Sequence, residues 1–206
     1  ENPLRLNSVD VFDGIQSYEC NGTPADCVKL AKHLLRKNQP IDLCLSGINH
    51  GSNASVNIIY SGTMSAAMEA AIEGINSIGF SLLDYSYNAD FTAAKHVVRT
   101  LLESIMEQGF QPDCNLLNVN IPKVSKEELK GVKVCRQANG YWKEEFIVGT
   151  DPRKQDYYWL TGEFVNRDAG EDTDLHALAN GYASIVPSHY DLTHHNSISS
   201  YKYLEF

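Results

Sequence analysis

The chain has 206 residues and a formal net charge of -9, from 26 acidic against 17 basic side chains. Its 43% apolar and 21% charged content is that of a globular chain with ample material for a core. The acidic balance speaks against a nucleic-acid polymer or an anionic membrane as partner, while leaving room for small anions at a locally positive site. No run reaches the ~18 apolar residues of a membrane span, and no signal-peptide pattern is visible. The five cysteines include no CxxC pair and no Cys/His zinc spacing. Cys44 and Cys135 sit inside apolar runs, which points to a reducing compartment, most simply the cytoplasm.

In chain order, Val9–Phe12 and Ile15–Cys20 flank Asp13-Gly14 and read as a hairpin with a two-residue turn. Asp10 and Asp13 there read as a solvent-facing strand residue and a turn residue rather than a metal pair. Thr23-Pro24-Ala25-Asp26 is a helix start, with Thr23 as N-cap, proline at the first helical position and an acid three residues after the cap. The apolar face carried by Val28, Leu30, Ala31, Leu34 and Leu35 extends that helix to about Lys37. A short strand over Ile41–Leu45 follows, then a helix over Met64–Ile75, a strand over Phe80–Leu83, an amphipathic helix over Thr92–Gln108 and a strand over Leu116–Ile121. This alternation implies βαβ units around a mostly parallel sheet flanked by helices, an α/β fold.

From about Gly131 the pattern changes to short strands, Val132–Cys135, Glu145–Val148 and Tyr157–Leu160, with a turn over Gly149–Lys154. A short helix over Asp174–Asn180, capped by Thr173, precedes a strand over Tyr182–Val186. The chain therefore divides into an α/β region, 1–130, and a hairpin-rich region, 131–206. The aromatic hairpin suits either an oligomer contact or an arm packed on its own subunit.

The chemistry lies between the Ile41–Leu45 strand and the Met64 helix, in SGINHGSNASVNIIYSGT, which has no acidic residue. Asn49 falls just past the carboxyl end of the strand, at the edge where open α/β sheets bind ligands. Its amide oxygen is a neutral hard ligand suited to Mg²⁺ or Mn²⁺. Asn53 offers both a donor and an acceptor. Ser61-Gly62-Thr63 opens the helix, whose unpaired N–H groups and dipole attract anions. Unlike the Thr23 start, this one has no carboxylate before Glu69, so its positive end stays available to a ligand's charge. Each feature alone reads as an ordinary turn residue or cap. The two, joined by one short loop at that edge, support a phosphate site equally well.

These residues resemble the SurE family, the survival protein E nucleotidases, whose middle motifs run G-T-P-x-D-C-V, S-G-I-N-x-G-x-N and Y-S-G-T before a small-residue helix. They stand here as GTPADCV (22–28), SGINHGSN (46–53) and YSGTMSAAME (60–69), and DTDLHALANGYASIVPSHYDLTHH resembles the family's C-terminal motif. The likeness runs from about Leu4 to His195. It implies a Rossmann-like SurE fold with a β-hairpin-rich C-terminal arm exchanged between subunits. It implies a metal-dependent phosphomonoesterase acting on nucleoside 5′- and 3′-monophosphates and, in some members, on short polyphosphate. By the same comparison Asn49 binds one divalent metal ion per subunit, Mg²⁺ or Mn²⁺, while Asn53, Ser61, Gly62 and Thr63 line the phosphate pocket. The implied partners are the nucleotide and further copies of the chain, as a dimer or tetramer.

The family's other metal ligands come from an N-D-D-G motif and a Q-S-G loop, neither of which occurs in this sequence. The stretch from Glu1 to Leu6 matches the family's segment just after that loop. The resemblance thus places an acidic pair upstream of Glu1, in a strand–helix–strand unit of roughly thirty residues. A phosphate-binding module without catalysis stays open if that pair is absent. A dinucleotide-binding domain is disfavoured, because no GxGxxG follows a strand. Asn57 stands where many members carry an acid and reads as a loop contact. His50 is expected at the pocket rim, and His194 and His195 as arm contacts.

Overall fold

The computed structural model describes residues 3–37 and 39–206. Glu1 and Asn2, which open the family-like stretch, lie outside the described residues, as does Asn38. Leu6–Val9 (β1) and Ser17–Cys20 (β2) pair antiparallel, with Val9 opposite Ser17 as the last pair. The turn at Asp13-Gly14 forms, closed by Ile15 N–H donating to the Phe12 carbonyl, and Gly14 takes φ +71°. The expected strands stop short of it because Val11, Phe12 and Ile15 are exposed, with no layer to pack against.

Helix α1 (Pro24–Leu30) starts as its sequence dictates. Asp26 N–H donates to Thr23 Oγ1 and Thr23 N–H donates to Asp26 Oδ2, a complete capping box. Its continuation, Ala31–Leu35, is wound wider as a π turn. The strands Cys44–His50 (β3), Ser77–Leu82 (β4), Leu116–Ile121 (β5), Val132–Val134 (β6) and Ala183–Pro187 (β9) form one sheet in the order β3-β4-β5-β9-β6. All neighbours are parallel except β5 and β9. The sheet is thus mostly parallel, as the alternation required.

Its two faces differ. Ile78, Phe80, Leu82, Val119 and Ile121 point to one side and form the main apolar core with Ala94 and Val97 of α3 (Thr92–Gln108). On the alternate positions stand Ser77, Gly79 and Ser81 of β4 and Leu116, Asn118 and Asn120 of β5. This side carries α2 (Gly62–Ile72), and a Cβ on Gly79 would collide with Met64 Sδ, so β4 must be small there. Met64, Ala67 and Ala71 bury against Leu116 in a second cluster.

The region 131–206 plays two parts. β6, α4 (Asp174–Ala179) and β9 complete the central sheet and its flank. The strands Gly140–Thr150 (β7) and Asp156–Asn166 (β8) are each longer than their sequence signal and pair along their whole length as a separate two-stranded ribbon. Asp151 Oδ1 closes the turn, accepting from Arg153 N–H and Gln155 N–H. At the ribbon's base Arg136 forks onto Asp168 (2.6 and 2.9 Å) and also donates to Asp172. Among the described residues no helix is long and apolar enough to cross a membrane.

Candidate phosphate and metal site

The candidate site lies on the end of β3 and the loop after it, and glycines on both, Gly47 and Gly51, take positive φ. Gly47 has φ +118°, a conformation that side chains disfavour, and a Cβ on it would strike the Phe80 carbonyl. There the pairing of β3 with β4 shifts register, resuming with Asn49 opposite Ser81. β3 runs on through His50, so Asn49 lies on the strand, one residue before its end, rather than just past it. The longer strand follows from β4, which extends along β3 as far as Leu82.

The Asn49 side chain is oriented by its amide nitrogen, which donates to the carbonyls of His50 (2.9 Å) and Gly51 (3.1 Å). That leaves Oδ1 as an acceptor without a donor among the described residues. A hard oxygen so held fits a divalent cation. It is one ligand, though: no group of three or more His, Cys, Asp or Glu able to hold a metal occurs among the described residues.

Asn53 is 4% exposed and is fixed on three sides. Its N–H donates to Asn120 Oδ1 (2.8 Å), its Nδ2 donates to Ser81 Oγ (2.6 Å), and its carbonyl accepts from Asn118 Nδ2 (2.9 Å). Two residues on, Ser55 takes φ +56°, held by Asp174: Ser55 N–H donates to Asp174 Oδ2 (2.8 Å) and Ser55 Oγ donates to the Ala138 carbonyl. Asp174 is fully buried and also accepts from Ala138 N–H and Leu175 N–H, so its charge is spread over three donors. The segment Ser55–Tyr60, which gave no helical signal, then makes two tight 3-10 turns into α2. Their dimensions are too short for an apolar period to show.

Ser61 caps α2, accepting from Met64 N–H at 3.0 Å. Ser65 N–H bonds the Ser61 carbonyl, which leaves the Gly62 and Thr63 N–H groups at the helix start. The first turn holds no acidic residue, as the sequence indicated. A cavity of about 440 Å³ opens between this end and the ribbon, lined by Ser52, Asn53, Asn57, Tyr60, Ser61, Trp142, Glu144, Leu160 and Thr161. Of the expected phosphate residues Asn53 and Ser61 line it, whereas Gly62, Thr63 and the expected metal ligand Asn49 are not among its lining residues; Asn49 is in register with Ser81, whose Oγ accepts from Asn53 Nδ2.

Asn57 is a loop contact: its Oδ1 accepts from Trp142 Nε1 (2.8 Å), tying the loop to the ribbon. His50 does not line the cavity; it stands edge-on against Phe91 with ring centroids 5.0 Å apart. His194 and His195 bond Ser197 and Asp191 within their own exposed turn. Beyond β4, Asp84 pairs with Lys123, and the Ser86 N–H and that ammonium keep its carboxyl below the ordinary carboxylate range. Sequence reasoning missed Ser81, Asn118, Asn120 and the role of Asp174. For the first three the signal was available: a lone serine in FSLL and asparagines at alternate positions of LNVNI ask what they bond to inside a core.

The family described as Survival protein SurE matches residues 1–144. The chain is 54% identical over 198 residues to the 5'-nucleotidase SurE of Flavobacterium psychrophilum, covering 96% of this chain and 76% of that protein. To the 5'-nucleotidase SurE of Christiangramia forsetii it is 57% identical over 183 residues, 89% of this chain and 70% of that one. The crystal structure of the SurE protein from Aquifex aeolicus superposes with a TM-score of 0.83 at 40% identity, over 100% of this chain and 81% of that one. The mostly parallel α/β sheet thus coincides with the fold of a solved SurE protein. The chain belongs to the SurE family.

Proposed function

We propose that the protein is a SurE-type 5′-nucleotidase, a metal-dependent phosphomonoesterase that converts nucleoside 5′- and 3′-monophosphates to nucleoside and phosphate. Family membership supports the class of reaction. The single observation that carries the site is the acid-free start of α2, whose cap Ser61 lines a cavity together with Asn53.

In this reading the Gly62 and Thr63 N–H groups hold phosphoryl oxygens, and the Ser61 hydroxyl, already accepting from Met64, directs its own proton to another. Asn49 Oδ1 serves as one ligand of a divalent ion, Mg²⁺ or Mn²⁺, which supplies Lewis acidity toward the phosphoryl group. The cavity extends from Asn53 and Ser61 to Tyr60 and Trp142, room enough for a nucleoside beside aromatic faces. The ribbon in 131–206 serves as the oligomer arm, for a dimer or tetramer, because its apolar side chains are otherwise exposed. The cytoplasm is the compartment that five free cysteines and this substrate class suit.

Phosphate release from nucleoside 5′- and 3′-monophosphates by the purified full-length protein tests the reading. Activity that EDTA abolishes and added Mg²⁺ or Mn²⁺ restores is expected. Asn49→Ala should raise the metal concentration for half-maximal rate by about 10-fold or more. Nucleotide binding with no phosphate release under any metal would favour a binding module and overturn the enzyme reading.

A further inference from the structure

The polar residues on the α2 side of the sheet are not scattered. Asn49 of β3 is in register with Ser81 of β4, Ser81 with Asn120 of β5, and Asn120 with Ser184 of β9. Registered neighbours share a face, so these four form one transverse row across four strands. Ser81, Asn120 and Ser184 are fully buried, and the Asn53 loop is seated on the row. A core that only needed filling would not place amides there, because each buried amide must find a partner.

The bonding has a direction. Asn118 Oδ1 accepts from Asn120 Nδ2 (2.9 Å), which leaves Asn120 Oδ1 turned to accept the Asn53 N–H at 2.8 Å. Asn118 Nδ2 in turn donates to the Asn53 carbonyl. Both backbone polar groups of one loop residue are thus held by amides of one strand, and its side chain by the next. We infer that Asn120 is a positioning residue for phosphate binding: through Asn53 it fixes the loop that faces the start of α2. This rests on the nucleotidase reading and adds to it a residue that does not touch substrate.

Asn120→Asp separates this role from simple core filling. The protonated carboxyl reproduces both bonds, accepting from Asn53 N–H and donating to Asn118 Oδ1. The ionised form keeps the first but sets two acceptors face to face. The groups around it are neutral: Asn53, Asn118, Ser81 and Ser184. The nearby charges by connectivity are Asp174, bonded to Ser55, and Lys133, in register with Ser184. Burial favours the neutral acid, so the titration should rise into the range of an assay.

In the full-length protein the ratio of variant to wild-type kcat, and of their affinities for inorganic phosphate read by thermal shift, should both rise about 10-fold between pH 8 and pH 6. A ratio flat with pH in a folded variant would overturn the inference. Ser81→Ala, which removes the acceptor of Asn53 Nδ2 and leaves both Asn120 bonds in place, is the second arm, kept for the case that Asn120→Asp fails to fold. It should lower kcat about 10-fold, and wild-type kcat and phosphate affinity would again overturn the role. Absence of phosphate release by wild-type protein would instead strike the nucleotidase reading itself, and the phosphate-affinity arm would still decide the positioning role.

Discussion

β4 and the ribbon β7–β8 both carry large apolar side chains, and the fold treats them oppositely. Every residue of β4 is buried, between α3 on one side and α2 with the Asn53 loop on the other. Along β7 and β8 none is buried, and Phe146, Ile147, Val148, Trp159 and Leu160 are each more than half exposed. Phe146 pairs with Leu160 and Ile147 with Trp159, so apolar side chains stand on both faces of the ribbon. A two-stranded ribbon is at best marginally stable in water without a covering layer. Apolar content therefore calls for a cover, while the topology settles whether the same chain supplies it. β4 has its cover within the chain; the ribbon is clamped at its base, by Arg136, Asp168 and the Trp142–Asn57 bond.

The contrast is most vulnerable in the core. Ile78→Ala or Leu116→Ala, both at fully buried positions, should cost about 2–5 kcal/mol, read as a lower urea midpoint at unchanged slope. A loss below ~1 kcal/mol would mean that the sheet is not covered on both sides as described. Next comes Asp174→Ala, which strips the acceptor from Ser55 N–H and Ala138 N–H. It should cost about 1–3 kcal/mol for each orphaned donor and weaken phosphate binding, whereas Asp174→Asn keeps an acceptor oxygen and should cost less.

On the ribbon, Phe146→Ser with Trp159→Ser should leave the subunit's fold within about 1 kcal/mol of wild type and shift sedimentation to smaller species. Unchanged assembly size would remove the ribbon as the oligomer contact. The smallest effect concerns the clamp. Arg136 above all, then the Gly170 and Asn139 N–H groups, hold the Asp168 carboxyl below its ordinary range. A carboxyl lowered in the folded state stabilises fully above the unfolded value and loses that contribution as pH falls toward the folded one. The stability gap between wild type and Asp168→Asn should therefore stay constant from about pH 8 to 5 and shrink below about pH 4. A gap that grew on acidification would reverse the assignment.

Much was legible in the residues alone. The helix starts at Thr23 and Ser61, the mostly parallel α/β order and the absence of an acid from the first turn of α2 rest on local chemistry: a cap, a proline, a missing acid, a period of apolar positions. Such features need no distant partner. The length of β3 through Asn49, the seating of Asn53, the buried carboxylate behind Ser55 and the exposure of the ribbon were not legible there. Each depends on what lies across the sheet or along the neighbouring strand: Ser81 opposite Asn49, Asn120 under Asn53, Asp174 from 119 positions away, Trp159 left more than half exposed. Residue types and their local order thus set which groups could hold a phosphate. How rigidly those groups are held is a property of the folded chain, because the rigidity comes from hydrogen bonds between segments that the chain order keeps apart.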